Sequence, residues 1–217
     1  MNGQFIRQSD IVPIDRINDC RATVIGVGAI GRQAALQLTA IGIPYLQLVD
    51  FDIVEIHNLP TQGYFLSDLS KPKVQATAAL CRQMNPDISV EIVNDRFKRT
   101  TNPGNCVFCC VDSITARRHI WEAVKENVNF FCDGRMSAEV LRIITASDES
   151  SRKYYPQTLF AQEQAQTGAC TAKSTIYCAN IAAGLMLSEF TKYLRMLPIE
   201  ADIQMNLLAS EMNVGQC

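Results

Sequence analysis

The feature that most constrains this chain is a glycine-rich turn between a strand-like and a helix-like segment. Gly26, Gly28 and Gly31 form a G-x-G-x-x-G pattern directly after the β-branched run at residues 22–25. Good helix formers follow over Ala29–Ala40. Such a turn offers free backbone N–H groups and the positive end of the helix dipole to a phosphate. The pattern predicts a nucleotide site, and the alternative is a tight structural turn that binds no ligand.

The rest of the chain alternates strand-like and helix-like segments, which is typical of a parallel sheet covered by helices. Residues 147–171 lose periodicity and are predicted to form a long exposed crossing loop, and the tail after Pro198 is weakly patterned. We expect an α/β fold: a Rossmann-like open sheet with a parallel core, additional strands after it and helices on both faces. Strands are predicted at residues 22–25, 45–49, 89–93, 106–111, 129–132 and 139–146, and helices at 29–40, 73–84, 114–127 and 175–194.

Length and charge exclude several classes of protein. The 217 residues suit one domain spanning 1–217. A net charge of −2 provides no overall basic field, so neither nucleic acid nor a membrane surface is expected as a partner. The first residues lack the pattern of a signal peptide. We therefore expect a cytoplasmic protein whose nine cysteines are reduced.

Acidic residues follow the second predicted strand. Asp50 stands where a carboxylate accepts hydrogen bonds from ribose hydroxyl groups. The glycine turn and Asp50 alone suit an NAD-dependent enzyme and an ATP-dependent one equally. Asp52 adds a second carboxylate, which NAD recognition does not need. The alternative is that Asp52 is a spare carboxylate in a solvated loop.

Further polar residues favour ATP. Asn58, Gln62 and Lys73 are donors suited to a triphosphate, although Lys73 taken alone is more consistent with a solvated lysine at a helix start. Asp112 ends a central apolar strand, at the edge where open α/β sheets bind ligands. It is either a ligand for Mg²⁺, which favours one or two carboxylates plus phosphates, or the cap of the helix that follows.

Together these residues resemble the ThiF/MoeB-type adenylyltransferase family, which includes the ubiquitin-activating enzymes. The resemblance covers residues 5–194, and its specificity comes from the order and spacing of short motifs. The motifs are Arg7-Gln8, the glycine turn, Asp50-x-Asp52, Asn58-Leu59-x-x-Gln62, Lys71-Pro72-Lys73, Asp112 and Asp133-Gly134-Arg135.

The resemblance implies adenylation of the C-terminal glycine carboxylate of a small ubiquitin-like or sulfur-carrier protein, with ATP and Mg²⁺ as cofactors. It implies that Arg7 reaches the phosphates of a neighbouring subunit, and hence a homodimer. It also implies roles for the site residues. Gly26, Gly28, Ala29 and Gly31 lie at the nucleotide, Asp50 holds the ribose, and Asp52 belongs to the same cofactor-binding set. Asn58, Gln62 and Lys73 contact phosphates, and Asp112 carries the metal.

Two features depart from the family pattern. Thr61 stands where members usually carry an arginine, so a cation near the phosphates is lost, as in a divergent branch of the family. The family often has a zinc site of two Cys-x-x-Cys pairs, but here only Cys106-x-x-Cys109 is present. Residues three apart on a strand point to opposite faces, so we expect core cysteines and no structural zinc.

Cys170-Thr171 resembles the catalytic Cys-Thr of ubiquitin-activating members. A thiol near a helix N-terminus has a lowered pKa, which suits a nucleophile that accepts the acyl group as a thioester. The alternative is a packing cysteine. Cys178 is expected in the core, His119 at the surface and His57 in a loop.

Two rival functions remain open at this point. An NAD-dependent oxidoreductase explains the glycine turn and Asp50 but leaves Arg7, Lys73 and Asp112 without a role. A catalytically weak scaffold that binds the carrier without activating it would account for Thr61.

Overall fold

The computed structural model describes residues 3–159 and 174–215. One sheet runs through these residues. Its strands are, in chain order, β1 (Arg21–Ile25), β2 (Tyr45–Val49), β3 (Ser89–Val93), β4 (Cys106–Cys109), β5 (Phe130–Ser137), β6 (Val140–Ala146), β7 (Asp202–Asn206) and β8 (Glu211–Gly215).

Helices connect and cover these strands. They are α1 (Ile14–Ile17), α2 (Ala29–Ala40), α3 (Asn58–Gln62), α4 (Lys73–Met84), α5 (Ile114–Val124), α6 (Glu149–Tyr154) and α7 (Ile176–Leu194). Shorter 3-10 turns occupy Gly3–Gln8, Leu66–Asp68 and Tyr155–Thr158.

The strand order is β3-β2-β1-β4-β5-β6-β7-β8. The first five strands in this order are parallel, and β6, β7 and β8 continue the sheet antiparallel. Ile25 of β1 pairs with Val49 of β2 and with Cys109 of β4, so three neighbouring parallel strands end at one edge. The prediction of an open sheet with a parallel core and further strands is confirmed.

The sheet has a hydrophobic core on each face, because successive strand side chains point to opposite sides. In β1, Val24 packs into the core under α2, α4 and α7, whereas Ile25 packs into the core under α5. Trp121 of α5 is the largest fully buried side chain of the second core. Both faces of the parallel strands are therefore covered, which explains why these strands read as continuous apolar runs.

The prediction of an uninterrupted loop over residues 147–171 is wrong for its first part. Asp148 caps α6 by accepting a hydrogen bond from the Ser151 backbone N–H at 2.8 Å, and a 3-10 turn follows directly. Tyr155 in that turn is completely buried. The Asp148-x-x-Ser151 capping pattern was the available signal. The remainder of the predicted loop, from residue 160, lies outside the described residues.

The tail after Pro198 is also more regular than its sequence indicates. It forms β7 and β8, and all five residues of β8 are exposed at the sheet edge. Strands with little burial carry a weak periodic signal, which explains why the sequence missed them. Within the described part of the chain, every helix is too short or too polar to cross a membrane.

Candidate functional site

Two of the three glycines in the turn are required by close packing. Gly26 has a φ of +87°, and a Cβ there would lie 2.8 Å from the Cys110 carbonyl oxygen. A Cβ on Gly31 would lie only 1.8 Å from the Gly26 carbonyl oxygen. These contacts bring the start of α2 against the ends of β1 and β4, and no larger residue fits.

Gly28 is different, because packing does not require it. The atom closest to a Cβ built on Gly28 is Gln62 Oε1, at 3.9 Å, which is an ordinary contact. Gly28 is also the N-cap residue of α2 and provides no side-chain cap. The space over this helix N-terminus is therefore left open by the described residues, where a phosphate would approach the backbone.

Gln62 faces this same space. Its Oε1 is buried and has no hydrogen-bond partner among the described residues. Its backbone carbonyl accepts a hydrogen bond from Gln33 Nε2 at 3.0 Å, which ties α3 to α2. Since a half-turn of the amide exchanges its oxygen and nitrogen, the position can offer either an acceptor or a donor. A buried amide atom without a partner fits a site that a ligand completes.

Asp50 is tied to the glycine turn by its side chain. Oδ2 accepts a hydrogen bond from the Val27 backbone N–H at 2.6 Å, and Oδ1 accepts one from the Asp52 N–H at 2.8 Å. Burial raises the pKa of Asp50, although these two N–H groups and the nearby Lys73 ammonium oppose the shift. Each oxygen keeps a further lone pair, so the carboxylate can still accept ribose hydroxyl groups.

Lys73 is a buried residue and not a solvated one. Only 8% of its side chain is exposed, and its Nζ donates to Asp52 Oδ2 at 3.0 Å. The Lys73 backbone N–H also bonds to the Asp52 carbonyl, so α4 begins directly beside the end of β2. The alternative of a solvated lysine is wrong, and Lys73 and Asp52 form one ion pair next to Asp50.

Asn58 lies at the start of α3 and is 3% exposed. Its Oδ1 accepts a hydrogen bond from the Glu55 N–H at 2.9 Å, which closes the turn before the helix. The neighbouring Thr61 hydroxyl donates to the His57 carbonyl in its own helix at 2.9 Å. Because residue 61 is a threonine, the position where the resembled family usually carries an arginine has no cation.

Asp112 follows β4 and is exposed. The cap of α5 is Ser113, whose Oγ accepts the Ala116 backbone N–H at 3.4 Å, so the alternative that Asp112 caps this helix is wrong. A Cβ on Gly26 would lie 3.0 Å from the Val111 nitrogen, which places Asp112 one residue from the glycine turn. No hydrogen bond or ion pair holds its carboxylate within residues 3–159 and 174–215.

Arg32 and Tyr64 support the turn from behind, and the sequence did not single them out. The completely buried Arg32 donates from Nε to the Gly63 carbonyl at 3.2 Å, and its guanidinium carbon lies 4.0 Å from the centre of the Tyr64 ring. The Tyr64 hydroxyl donates to the Val27 carbonyl at 2.6 Å. A lone arginine in a helix gives no sequence signal of burial, since such residues are mostly exposed.

One predicted site residue, Arg7, is not brought to the turn. Arg7 is exposed in the Gly3–Gln8 turn, whose Gln8 Nε2 donates to the Ala40 carbonyl at 3.2 Å. This turn lies at the C-terminal end of α2, about 17 Å from the glycine turn for a helix of this length. Arg7 therefore cannot serve its own chain's site. Cys170 lies outside the described residues.

The other cysteine and histidine predictions agree with the structure. Cys106, Cys109 and Cys178 are buried in the two cores, as expected. His119 is exposed, and so is His57, which precedes α3.

A polar cavity of about 460 Å³ on the face of β1–β3 opposite α2 is not part of this site. Gln47, which lines it, is hydrogen-bonded on both sides: Thr23 Oγ1 donates to Gln47 Oε1 at 3.0 Å, and Gln47 Nε2 donates to Glu91 Oε1 at 3.1 Å. These hydrogen bonds satisfy the polar groups on the part of the sheet face that no helix covers, because the β3–β4 connection contains no helix.

The fold and the turn define a Rossmann-like α/β protein whose candidate nucleotide site lies at the carboxyl edge of the parallel strands. The chain belongs to the ThiF family, whose model matches residues 4–213. The resemblance inferred from the sequence motifs is confirmed.

Similar proteins agree with this assignment. Ubiquitin-like modifier-activating enzyme 5 of Drosophila erecta is 29% identical over 214 residues, covering 87% of this chain and 53% of that protein, and the Drosophila melanogaster protein is also 29% identical. The chain thus spans about half the length of the curated relatives it matches.

Solved structures show the same fold. MccB of E. coli superposes with a TM-score of 0.80 at 17% identity, covering 99% of this chain and 69% of that one. MccB with ATP gives a TM-score of 0.78 at 16% identity, covering 100% of this chain and 72% of that one. PaaA gives a TM-score of 0.77 at 17% identity, covering 93% of this chain and 65% of that one.

Proposed function

We propose that this chain binds ATP at the glycine turn and adenylates the C-terminal glycine carboxylate of a small ubiquitin-like or sulfur-carrier protein. The observation that carries the proposal is the open space over Gly28, which packing does not explain and which the buried, unpartnered Gln62 Oε1 faces. Membership of the ThiF family and the names of its relatives, which activate a ubiquitin-like modifier, support the same reaction.

The residues around this space suit the parts of the nucleotide. Asp50 would accept the ribose hydroxyl groups, and the backbone at Gly28 and Ala29 would lie against the phosphates. Asn58, Gln62 and Lys73 would contact the phosphates from α3 and α4. In this arrangement Lys73 would exchange its partner Asp52 for phosphate oxygens, or hold both.

Asp112 suits Mg²⁺ because this ion needs only one or two protein carboxylates. No three His, Cys, Asp or Glu side chains cluster as ligands in residues 3–159 and 174–215. Mg²⁺ commonly takes one or two carboxylates and obtains its other ligands from phosphates and water. When bound, the ion would neutralise charge that develops on the leaving pyrophosphate.

The reaction needs positioning more than covalent help from the protein. A carboxylate oxygen of the carrier's terminal glycine attacks the α-phosphorus of ATP, the bond to the β-phosphate oxygen breaks, and acyl-adenylate and pyrophosphate form. Lys73 and the N–H groups at the start of α2 would stabilise the developing negative charge, which is the main contribution a protein makes in such transfers.

Arg7 and Thr61 both favour a site that is completed by a second subunit. Without a cation at Thr61, stabilisation of the transition state would fall by about 2–3 kcal/mol unless another group replaces it. Arg7 is exposed and distant from its own turn, so it can act only on another molecule. We propose a homodimer in which Arg7 of each subunit reaches the phosphates of the other.

The thioester step remains part of the proposal. After adenylation, the Cys170 thiolate would attack the acyl carbonyl, releasing AMP and forming a thioester. Mass spectrometry would detect the adduct after incubation with carrier and ATP, and its loss on treatment with a thiol would distinguish it from an amide.

Exchange of labelled pyrophosphate into ATP tests the proposed adenylation. Exchange that depends on a carrier ending in Gly-Gly is the expected result, with an Asp112→Asn variant as the inactive control. An intact protein that exchanges no label with any co-encoded carrier would refute an adenylating function.

One observation favours a second candidate, a scaffold that binds the carrier without activating it. Thr61 bonds within its own helix and offers no charge to a phosphate. Binding of the carrier with neither exchange nor AMP release would establish this function instead.

A further inference from the structure

The backbone on both sides of Asp112 is held at fixed points. Before it, the Cys110 N–H donates to the Ile25 carbonyl at 2.8 Å, which extends the β1–β4 pairing to the edge of the sheet. After it, Ser113 caps α5. Asp112 lies between these two attachments, so the residues that hold the intervening Val111 determine where its carboxylate is placed.

Arg117 holds Val111. This arginine lies in the first turn of α5, and 5% of its side chain is exposed. Its Nη2 donates to the Val111 carbonyl, and both of its terminal nitrogens lie 3.3 Å from the Gly134 carbonyl. The planar guanidinium therefore joins the residue before Asp112 to the middle of β5, which a single ammonium group cannot do.

Asp133 compensates the buried charge of Arg117. The two side chains form an ion pair, and Asp133 is completely inaccessible to solvent. The Tyr155 hydroxyl and Arg135 Nε each donate to Asp133 Oδ2 at 2.9 Å. We call Arg117, Asp133, Arg135 and Tyr155 the Asp133 cluster.

We infer that Arg117 is a positioning residue for Asp112: it fixes the Val111–Asp112 backbone so that the carboxylate meets the divalent ion bound with the nucleotide. The inference rests on the proposed function of the site. It also assigns a role to the Asp133-Gly134-Arg135 motif, to which the sequence analysis assigned none: these residues hold Arg117 in place. Arg117 itself touches neither nucleotide nor metal and acts through Val111.

The chain contains a matched control for this cluster. Arg142 Nε donates to Asp202 Oδ1 at 2.9 Å, and the Tyr154 hydroxyl donates to Asp202 Oδ2 at 2.6 Å. We call Arg142, Tyr154 and Asp202 the Asp202 cluster. It has the same three side-chain types as the Asp133 cluster. Its Arg142 and Asp202 lie on the antiparallel strands β6 and β7, where the proposed site has no residue, and its Tyr154 ends α6.

The test measures metal affinity and not turnover. Mn²⁺, a paramagnetic substitute for Mg²⁺, is titrated by electron paramagnetic resonance into the full chain saturated with a non-hydrolysable ATP analogue. Arg117→Lys should raise the Mn²⁺ dissociation constant roughly tenfold, as loss of an outer-shell support typically does. Arg142→Lys should leave it unchanged, and neither substitution should change the affinity for the analogue measured in EDTA.

Three results would overturn the inference: an unchanged Mn²⁺ affinity in Arg117→Lys, an equal loss in Arg142→Lys, or a parallel loss of binding in EDTA. If Arg117→Lys does not fold, Tyr155→Phe replaces it, with an expected weakening of Mn²⁺ binding against none in Tyr154→Phe. No change in either tyrosine variant would then reject the role. A wild-type protein that binds Mn²⁺ and the analogue but never adenylates a carrier would refute the proposed function and leave this inference standing.

Discussion

Polar groups at the carboxyl edge of the parallel strands differ in their pairing from those in the antiparallel extension, which consists of β6, β7 and β8. At the parallel edge, Gln62 Oε1 and the Asp112 carboxylate have no partner among the described residues. In the extension, Asp202 is satisfied by Arg142 and Tyr154. Hydrogen-bonding capacity left unused in the first region is available to a ligand, whereas the second region uses its capacity to stabilise the fold.

The consecutive residues Tyr154 and Tyr155 connect the two regions. Tyr154 donates to Asp202 in the extension, and Tyr155 donates to Asp133 of β5, where the parallel pairing of β5 with β4 ends. The segment from α6 through the following 3-10 turn therefore anchors both regions at once. The comparison predicts that substitution of the paired Asp202 reduces stability alone, that substitution of the unpartnered Asp112 reduces function alone, and that Asp133 affects both.

Asp133→Ala should have the largest effect. It would leave the guanidinium groups of Arg117 and Arg135 buried without their carboxylate, so the free energy of unfolding should fall by about 3–5 kcal/mol. Urea denaturation measures the loss. A decrease no larger than that of a typical surface substitution would show that Asp133 does not hold the boundary between the regions.

Asp112→Asn should separate function from stability. Pyrophosphate exchange should fall by about a hundredfold or more, because the variant removes the charge that would hold the metal. The urea midpoint should stay the same, since the carboxylate bonds to nothing else among the described residues. A variant that exchanges normally, or one that unfolds, would break the comparison.

Asp202→Asn should reduce stability without reducing function. The free energy of unfolding should fall by about 2 kcal/mol near neutral pH, as expected for lost hydrogen bonds to a charged group, while nucleotide affinity stays unchanged.

The loss in Asp202→Asn should also depend on pH. Burial raises the pKa of Asp202, but hydrogen bonds from Arg142 and Tyr154 outweigh burial and lower the pKa below its ordinary 3.8. A lowered carboxyl pKa stabilises the fold above the unfolded-state value, and this contribution is lost as pH falls through the folded-state value. The difference between wild type and variant should therefore shrink below pH 3.8. An equal difference in acid would contradict this assignment.

Gly28→Ala should give the smallest of these effects. The Cβ has ordinary space, so stability should change by no more than about 1 kcal/mol at this helix cap. Nucleotide affinity should fall roughly tenfold, because the methyl group occupies the approach of the phosphate to the backbone. Calorimetric titration measures the affinity. Gly31→Ala is the contrasting variant and should fail to fold, since its Cβ would lie 1.8 Å from the Gly26 carbonyl oxygen.

The sequence predicted features that depend on neighbours along the chain. The glycine turn, the bounds of α2 and α4, and the buried Cys106 and Cys109 all follow from local pattern. It could not predict features that depend on the exact backbone geometry or on contacts between distant segments. Whether Asp112 or Ser113 caps α5 depends on backbone geometry, and the burial of Tyr155 depends on a strand that precedes it by some twenty residues.

Direct binding of nucleotides to the full chain tests the central claim, that the space over Gly28 is an ATP site completed by a divalent ion. Calorimetry with ATP and Mg²⁺ should show one site per chain that Gly28→Ala weakens, and Asp112→Asn should remove the Mg²⁺-dependent part of the affinity. NAD should not compete. Tight binding of NAD, or ATP binding that neither substitution changes, would contradict the account.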